Sequence, residues 1–193
     1  MLSDICLPTS NINWKSTDGD YFYIDLSSVC RERNEIKPES FINRHDAPCR
    51  AQQIVKTNDV LFATTRPTLQ RFCYIPSDLN EHICSTGFCV LRANEKYILS
   101  RYLFFIVSSN DFYTYVENNQ EGTNYPSISN SKVKKYSIYL PSLEEQLKIV
   151  YILDRFDTLT TDISSGIPAE IDARKKQYEY YRNKLLSFRE KHV

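Results

Sequence analysis

Residues 141–188 read PSLEEQLKIVYILDRFDTLTTDISSGIPAEIDARKKQYEYYRNKLLSF, which spells two helices with a break between them. The first opens at Ser142, with Glu145 three residues on. That spacing makes a capping box: the hydroxyl accepts a first-turn N–H and the carboxylate reaches back to the cap. Ile149, Leu153, Phe156 and Ile163, with Ile152 and Leu159 beside them, recur at the helical period and form one apolar stripe. Ser164-Ser165-Gly166 stops the helix, because glycine takes the left-handed cap without a Cβ penalty. Pro168 restarts it where a missing N–H costs nothing. The expected limits are a helix over 142–163, a break over 164–167 and a second helix over 168–188.

In the second helix Ile171, Tyr178 and Leu185 fall seven apart, and Arg174, Tyr181 and Phe188 form a companion row. This is a short heptad seam, flanked by Lys175, Lys176, Glu179, Arg182 and Lys184. About 20 residues at 1.5 Å each make a rod of roughly 30 Å. A terminal helix packed on its own domain satisfies the pattern. So does a dimerisation rod built on Ile171, Arg174, Tyr178, Tyr181, Leu185 and Phe188, since a solvated helix does not gather such side chains uncovered.

Upstream, Tyr21 to Val29 alternates as a half-buried strand, and residues 30–50, broken by Pro38 and Pro48, read as loop. Gln53 to Val55 and Val60 to Thr65 read as strands separated by the Thr57-Asn58-Asp59 turn, with Pro67 ending the second. Phe72 to Ile75 and Gly87 to Arg92 are further short strands. Ile98 to Ser108 is a buried helix, Asp111 to Asn119 continues as helix or turn, Gln120 to Asn130 is a polar loop, and Val133 to Leu140 is a last strand. Strands first, then a helical segment, a returning strand and the rod give an α+β fold with a mixed sheet. The expected division is residues 1–140 and a helical region over 141–193.

With 193 residues the chain can bury a substantial core. Only four glycines are present, and neither a G-x-G-x-x-G nor a phosphate-loop motif occurs, so nucleotide enzymes of those types are excluded. Net charge is zero, but residues 44–71 carry Arg44, Arg50, Lys56, Arg66 and Arg71 against Asp46 and Asp59 alone, and Lys132, Lys134 and Lys135 cluster later. A nucleic-acid binder needs a basic face rather than a basic protein. Six cysteines without a C-x-x-C pair, and three scattered histidines, speak against zinc. The start MLSDICLPTS holds no apolar signal core, so a reducing compartment, the cytoplasm, and free cysteines are expected. The apolar run Tyr97 to Val107 contains Arg101 and is too short to span a membrane.

Pro141 to Gln146, followed by Gly166 to Leu186, resembles the conserved helical region of DNA specificity subunits of type I restriction-modification systems. The resemblance extends upstream through Tyr23 to Val29, Ala47 to Lys56, Asp59 to Pro67 and Ser85 to Arg92, covering roughly residues 20–188. It implies one target recognition domain followed by one helical region. Family members usually carry two of each, so the chain is either a half-sized subunit, acting as a homodimer on a two-fold symmetric interrupted site, or half of a longer one. The resemblance also implies a non-catalytic subunit without a cofactor of its own. Methylation belongs to a methyltransferase partner holding S-adenosylmethionine, and cleavage to a separate restriction subunit.

For such a role Arg66, Gln70 and Arg71 follow directly on a strand, and Asn124 and Tyr125 lie on the polar loop; arginine suits guanine, glutamine and asparagine suit adenine. Thr65 belongs to the same segment, and Arg50, Gln52, Lys56 and Lys132 are candidates for phosphates. Two other classes remain open. Asp25 with Glu35 and Lys37 loosely fits a Mg²⁺-dependent nuclease, and the rod alone fits an oligomerising adaptor without DNA readout.

Overall fold

The computed structural model describes residues 1–187 other than 32, 38–39 and 163–167, and leaves aside the side chains of 159–162, 168–169 and 171. The expected break at Ser164–Gly166, together with Ile163, Phe188 and the side chains of Leu159 and Ile171, lies outside the described residues.

Among the described residues eight strands form two four-stranded sheets. In chain order they are β1 (Cys6–Leu7), β2 (Tyr21–Ile24), β3 (Phe41–Ile42), β4 (Ala51–Ile54), β5 (Val60–Ala63), β6 (Phe72–Tyr74), β7 (Ile83–Ser85) and β8 (Phe88–Ala93). The first sheet, β1-β8-β5-β6, is antiparallel throughout. The second, β3-β2-β7-β4, is mixed, with β2 and β7 parallel. The helices are α1 (Leu2–Ile5), α2 (Ser100–Val107), α3 (Asn110–Asn119), α4 (Asn130–Lys134), α5 (Leu143–Asp162) and α6 (Pro168–Leu186). The chain is thus α+β with a mixed sheet.

Every residue of β5 is buried, so the strand is covered on both faces. Its period-2 alternation sorts the covers. Val60 and Phe62, with Cys89 and Leu91 of β8, face a helical core of Tyr102, Leu103, Phe105 and Phe112. Leu61 and Ala63, with Phe88, Val90 and Cys73, face Ile24 and Cys84 of the second sheet. The layers are therefore helices, sheet, sheet. Trp14, whose indole N–H donates to the Ala51 carbonyl at 2.7 Å, and Tyr21 pack with Ile42, Ala51 and Ile83 in a smaller cluster on the second sheet.

All residues of α2 except Arg101 are buried, because first-sheet strands lie on one side and α5 on the other. The capping box forms as the sequence predicts: the Ser142 N–H donates to the Glu145 carboxylate at 3.1 Å, and the Glu145 N–H donates to the Ser142 hydroxyl at 3.3 Å. Leu153 and Leu186 enter the helical core, with Ile149, Val150, Tyr178 and Leu185 packed against it. Arg101 of α2 bridges to Asp154 at 2.7 Å and Asp157 at 3.0 Å on α5.

The expected strand over 133–140 does not form. Asn130–Lys134 is helical, capped by the Ser129 hydroxyl, and 136–140 runs without a sheet partner. Its alternation is real, since Tyr136, Ile138 and Leu140 line the helical core, but a neighbouring core fulfils that pattern as well as a sheet does.

Candidate nucleic-acid interface

The registers define two ends of the sheet pair. Ala51 pairs with Ser85, Ala63 with Phe88 and Phe62 with Phe72, so the segments before β4, β6 and β8 and after β5 and β7 share one end. The parallel pairing of Ile24 with Cys84 brings the segment after β2 there too. Backbone bonds tie this rim together: the Thr86 N–H donates to the Arg50 carbonyl, and the Thr64 N–H to the Gly87 carbonyl at 2.8 Å.

At this end the chain leaves β5 through Thr64 and turns back through a 3-10 turn, Pro67–Leu69, into β6. Arg66 and Gln70 flank that turn, both left-handed with φ of 49° and 52°. Side chains with a Cβ resist this region, and each such residue costs on the order of 1–3 kcal/mol unless its surroundings enforce it. The enforcement is visible. Thr65 pairs with Ser127 as an isolated bridge, the Arg66 N–H donates to the Pro126 carbonyl at 2.8 Å, and the Ile128 N–H donates to the Thr64 carbonyl at 2.9 Å.

The partner segment is itself a closed loop. Glu121 and Ser127 exchange two backbone hydrogen bonds of 2.8 Å. Gly122, at φ +89°, is required there: a Cβ would meet the Tyr125 carbonyl at 3.0 Å. Asn124 and Tyr125 are exposed near its tip, Tyr125 at 70%, and the Arg66 guanidinium lies 4.8 Å from the Tyr125 ring centroid. The two segments singled out from sequence, 57 residues apart at Arg66 and Thr123, are thus one structure.

The other candidates sort by position. Arg50 is exposed on the same rim, and Arg71, half-buried, enters β6 beside it with a buried Nε that no described residue accepts from. Gln52 is exposed on β4, its amide donating to the Cys49 carbonyl at 2.8 Å. Lys56 follows β4 at the opposite end of the sheets, away from Arg66. Lys132 is committed: its ammonium binds the Glu121 carboxylate at 2.6 Å and the Asn119 carbonyl at 3.1 Å, and this contact holds the Glu121 carboxyl below its ordinary range. Lys132 thereby latches the base of the Tyr125 loop.

Along α6, Arg174 is exposed and binds Glu170 on the preceding turn, while Tyr181 stacks on Phe156 of α5 at 5.7 Å. Tyr178 and Leu185 pack against the chain's own core. Asp25 precedes a short 3-10 turn, its N–H donating to the Ser28 hydroxyl, and the described residues contain no group of three acidic, histidine or cysteine side chains fit for a metal ion. No helix among the described residues is long and apolar enough to cross a membrane. Sequence reasoning missed Arg31, whose Nε donates to the Leu69 carbonyl at 3.0 Å. A carbonyl partner 38 residues away leaves no trace in composition or period.

Comparison with known proteins places this arrangement. The specificity subunit of the Escherichia coli type I restriction enzymes EcoR124I and EcoR124II is 42% identical over 91 residues, 47% of this chain and 22% of that protein. The HsdS subunit of Thermoanaerobacter tengcongensis superposes with a TM-score of 0.74 at 34% identity, covering 91% of this chain and 44% of the other. A chain from a structure addressing complex assembly and conformational transition of the type I R-M system gives 0.78 at 34% identity, covering 84% and 42%. The chain thus spans less than half the length of these relatives. The type I restriction modification DNA specificity domain matches residues 8–173, most of the chain, from β2 through α5, and the chain belongs to the type I DNA specificity family.

Proposed function

We propose that the chain is a DNA-reading, non-catalytic component of a type I restriction-modification complex, with residues 1–140 as the recognition part and 141–193 as the helical part. One observation carries the reading: two distant loops, 64–71 and 121–127, are bonded into a single exposed rim that presents Arg66, Gln70, Asn124 and Tyr125 beside Arg50 and Arg71. Arginine, glutamine and asparagine are the side chains suited to two-pronged bonds with base edges, and an exposed ring over a guanidinium offers a stacking surface.

Double-stranded DNA is the ligand. A methyltransferase subunit, holding S-adenosylmethionine, performs the modification, and a restriction subunit the cleavage. A solved neighbour belonging to a type I assembly supports those partners. Two copies of the chain together read an interrupted two-fold site, a reading supported by the exposed Leu147 and Tyr151 on α5.

The test is mobility shift of duplex DNA by the chain with its methyltransferase subunit, across salt. Affinity falls steeply as salt rises, because phosphate contacts release counterions. Arg66→Ala combined with Tyr125→Ala weakens binding at unchanged melting temperature. Binding that is indifferent to salt and to this double variant would rule the rim out.

A further inference from the structure

A third segment reaches the same rim, and the roles assigned above leave it unused. After β2 the chain forms a narrow turn in which Val29 pairs with Ile36 as an isolated bridge. The Cys30 N–H donates to the Glu35 carbonyl and the Asn34 N–H to the Cys30 carbonyl, both at 2.9 Å, and the Lys37 N–H donates to the Ser28 carbonyl at 2.8 Å. Val29 is buried and Ile36 packs against the core between the sheets, so the foot of the turn is fixed. Near its tip, exposed Arg31 donates its Nε to the Leu69 carbonyl at 3.0 Å, on the residue next to left-handed Gln70.

That single bond has two consequences. It pins a side chain that otherwise loses rotamer freedom on binding. It also uses only Nε, and no described residue accepts from the two terminal nitrogens. A brace across the loops needs a donor but not a charge. The charge left over sits beside Arg66 and Gln70, with exposed Arg33 on the same turn. A guanidinium held in this way matches a phosphate or the O6/N7 edge of guanine.

We propose that Arg31 contacts DNA through its terminal nitrogens, which makes the residues around the Val29–Ile36 bridge a third arm of the interface. This rests on the DNA-reading role proposed above. The experiment measures anisotropy of a random-sequence duplex pool, and of the duplex enriched from it, with the full chain and its methyltransferase subunit between about 50 and 200 mM salt. Arg31→Ala lowers affinity for the enriched duplex by about 5- to 150-fold if a base edge is lost. It reduces the salt slope by about one on both duplexes if a phosphate is lost. Arg31→Gln keeps an N–H for Leu69 without the charge, and behaves as Arg31→Ala does. Arg31→Lys keeps the charge without the planar fork, so it keeps the salt slope if the partner is a phosphate. If Arg31→Gln matches the wild type in affinity and slope on both duplexes, Arg31 is a brace only; the arm is refuted and the DNA-reading role stands. If the wild type shows no salt-dependent binding, the role and the arm fall together.

Discussion

Gln70 places an uncharged, hydrogen-bonding side chain on a backbone that glycine would occupy more easily. Strained residues of this kind gather where a side chain is needed at a fixed angle. Gln70→Gly should therefore raise unfolding stability by up to about 1 kcal/mol in denaturant titrations while weakening binding to the cognate duplex. A glycine variant less stable than the wild type would show that the glutamine side chain contributes more than its backbone costs. His82 gives a second prediction at this scale. Its Nδ1 accepts the Phe22 N–H at 3.2 Å, its ring meets the edges of Phe22 and Tyr21, and burial holds its pKa below 6.5. The unfolded chain protonates first, so the contribution is complete above pH 6.5 and is lost as pH falls through the depressed folded pKa. His82→Asn keeps an acceptor but does not titrate. Melting curves should show a flatter pH dependence below 6.5 for this variant, and an unchanged profile would assign the dependence to other groups.

Among the elements, α5 shows why a motif glutamine sits where it does. Gln146 is fully buried, its Oε1 accepting the Leu99 N–H at 2.9 Å and its Nε2 donating to the Tyr97 and Pro141 carbonyls at 2.9 and 3.0 Å. It stitches the start of α5 to the start of α2 by bonding backbone groups on both sides. Gln146→Leu conserves volume but strands them, and should cost about 1–3 kcal/mol by chemical denaturation. A neutral substitution would mean that water replaces the amide. The same element marks what a sequence can reveal. The apolar stripe and capping box of α5, the buried α2 and the strands β5 and β8 are legible because each holds its pattern over enough residues to be read locally. β1, β3 and β7 have only two or three residues, and their reason to exist is a distant partner: Cys6 beside Ala93, Tyr23 beside Ile83. The candidate loops follow the same division. Arg66 and Tyr125 are each legible as exposed readers, but their stacking depends on a bridge between Thr65 and Ser127 that no local pattern encodes.

The whole molecule bears on how two copies would meet. The heptad row alone predicts a seam through Tyr178, Tyr181 and Leu185, yet Tyr178 and Leu185 pack on the chain's own core, and burial pushes the Tyr178 hydroxyl up to about 12. Together with Leu153, Leu186 and the Arg101 bridges, they fasten the helical pair to the sheets. What stays open among the described residues shares only Tyr181 with that seam: Leu143, Leu147, Tyr151 and Ile152 on α5, and Tyr180 and Tyr181 on α6. Leu147 and Tyr151 stand four residues apart, one turn of a single face. If two copies pair as proposed, this face is open to the second copy, whereas Tyr178 and Leu185 already pack on the chain's own core. An antiparallel pairing then sets the two rims apart by a rod of roughly 30 Å, close to the 34 Å of one duplex turn. A two-fold axis obliges both copies to read the same half-site on opposite strands. Two variants separate fastening from pairing. Leu185→Ala should lower the melting temperature, by a cost of up to a few kcal/mol, with the mass in solution unchanged. Leu147→Glu with Tyr151→Glu should leave melting intact and halve the mass measured by light scattering. A wild type that is monomeric at tens of micromolar, or a methylated motif with two unrelated halves, would refute the pairing of two copies.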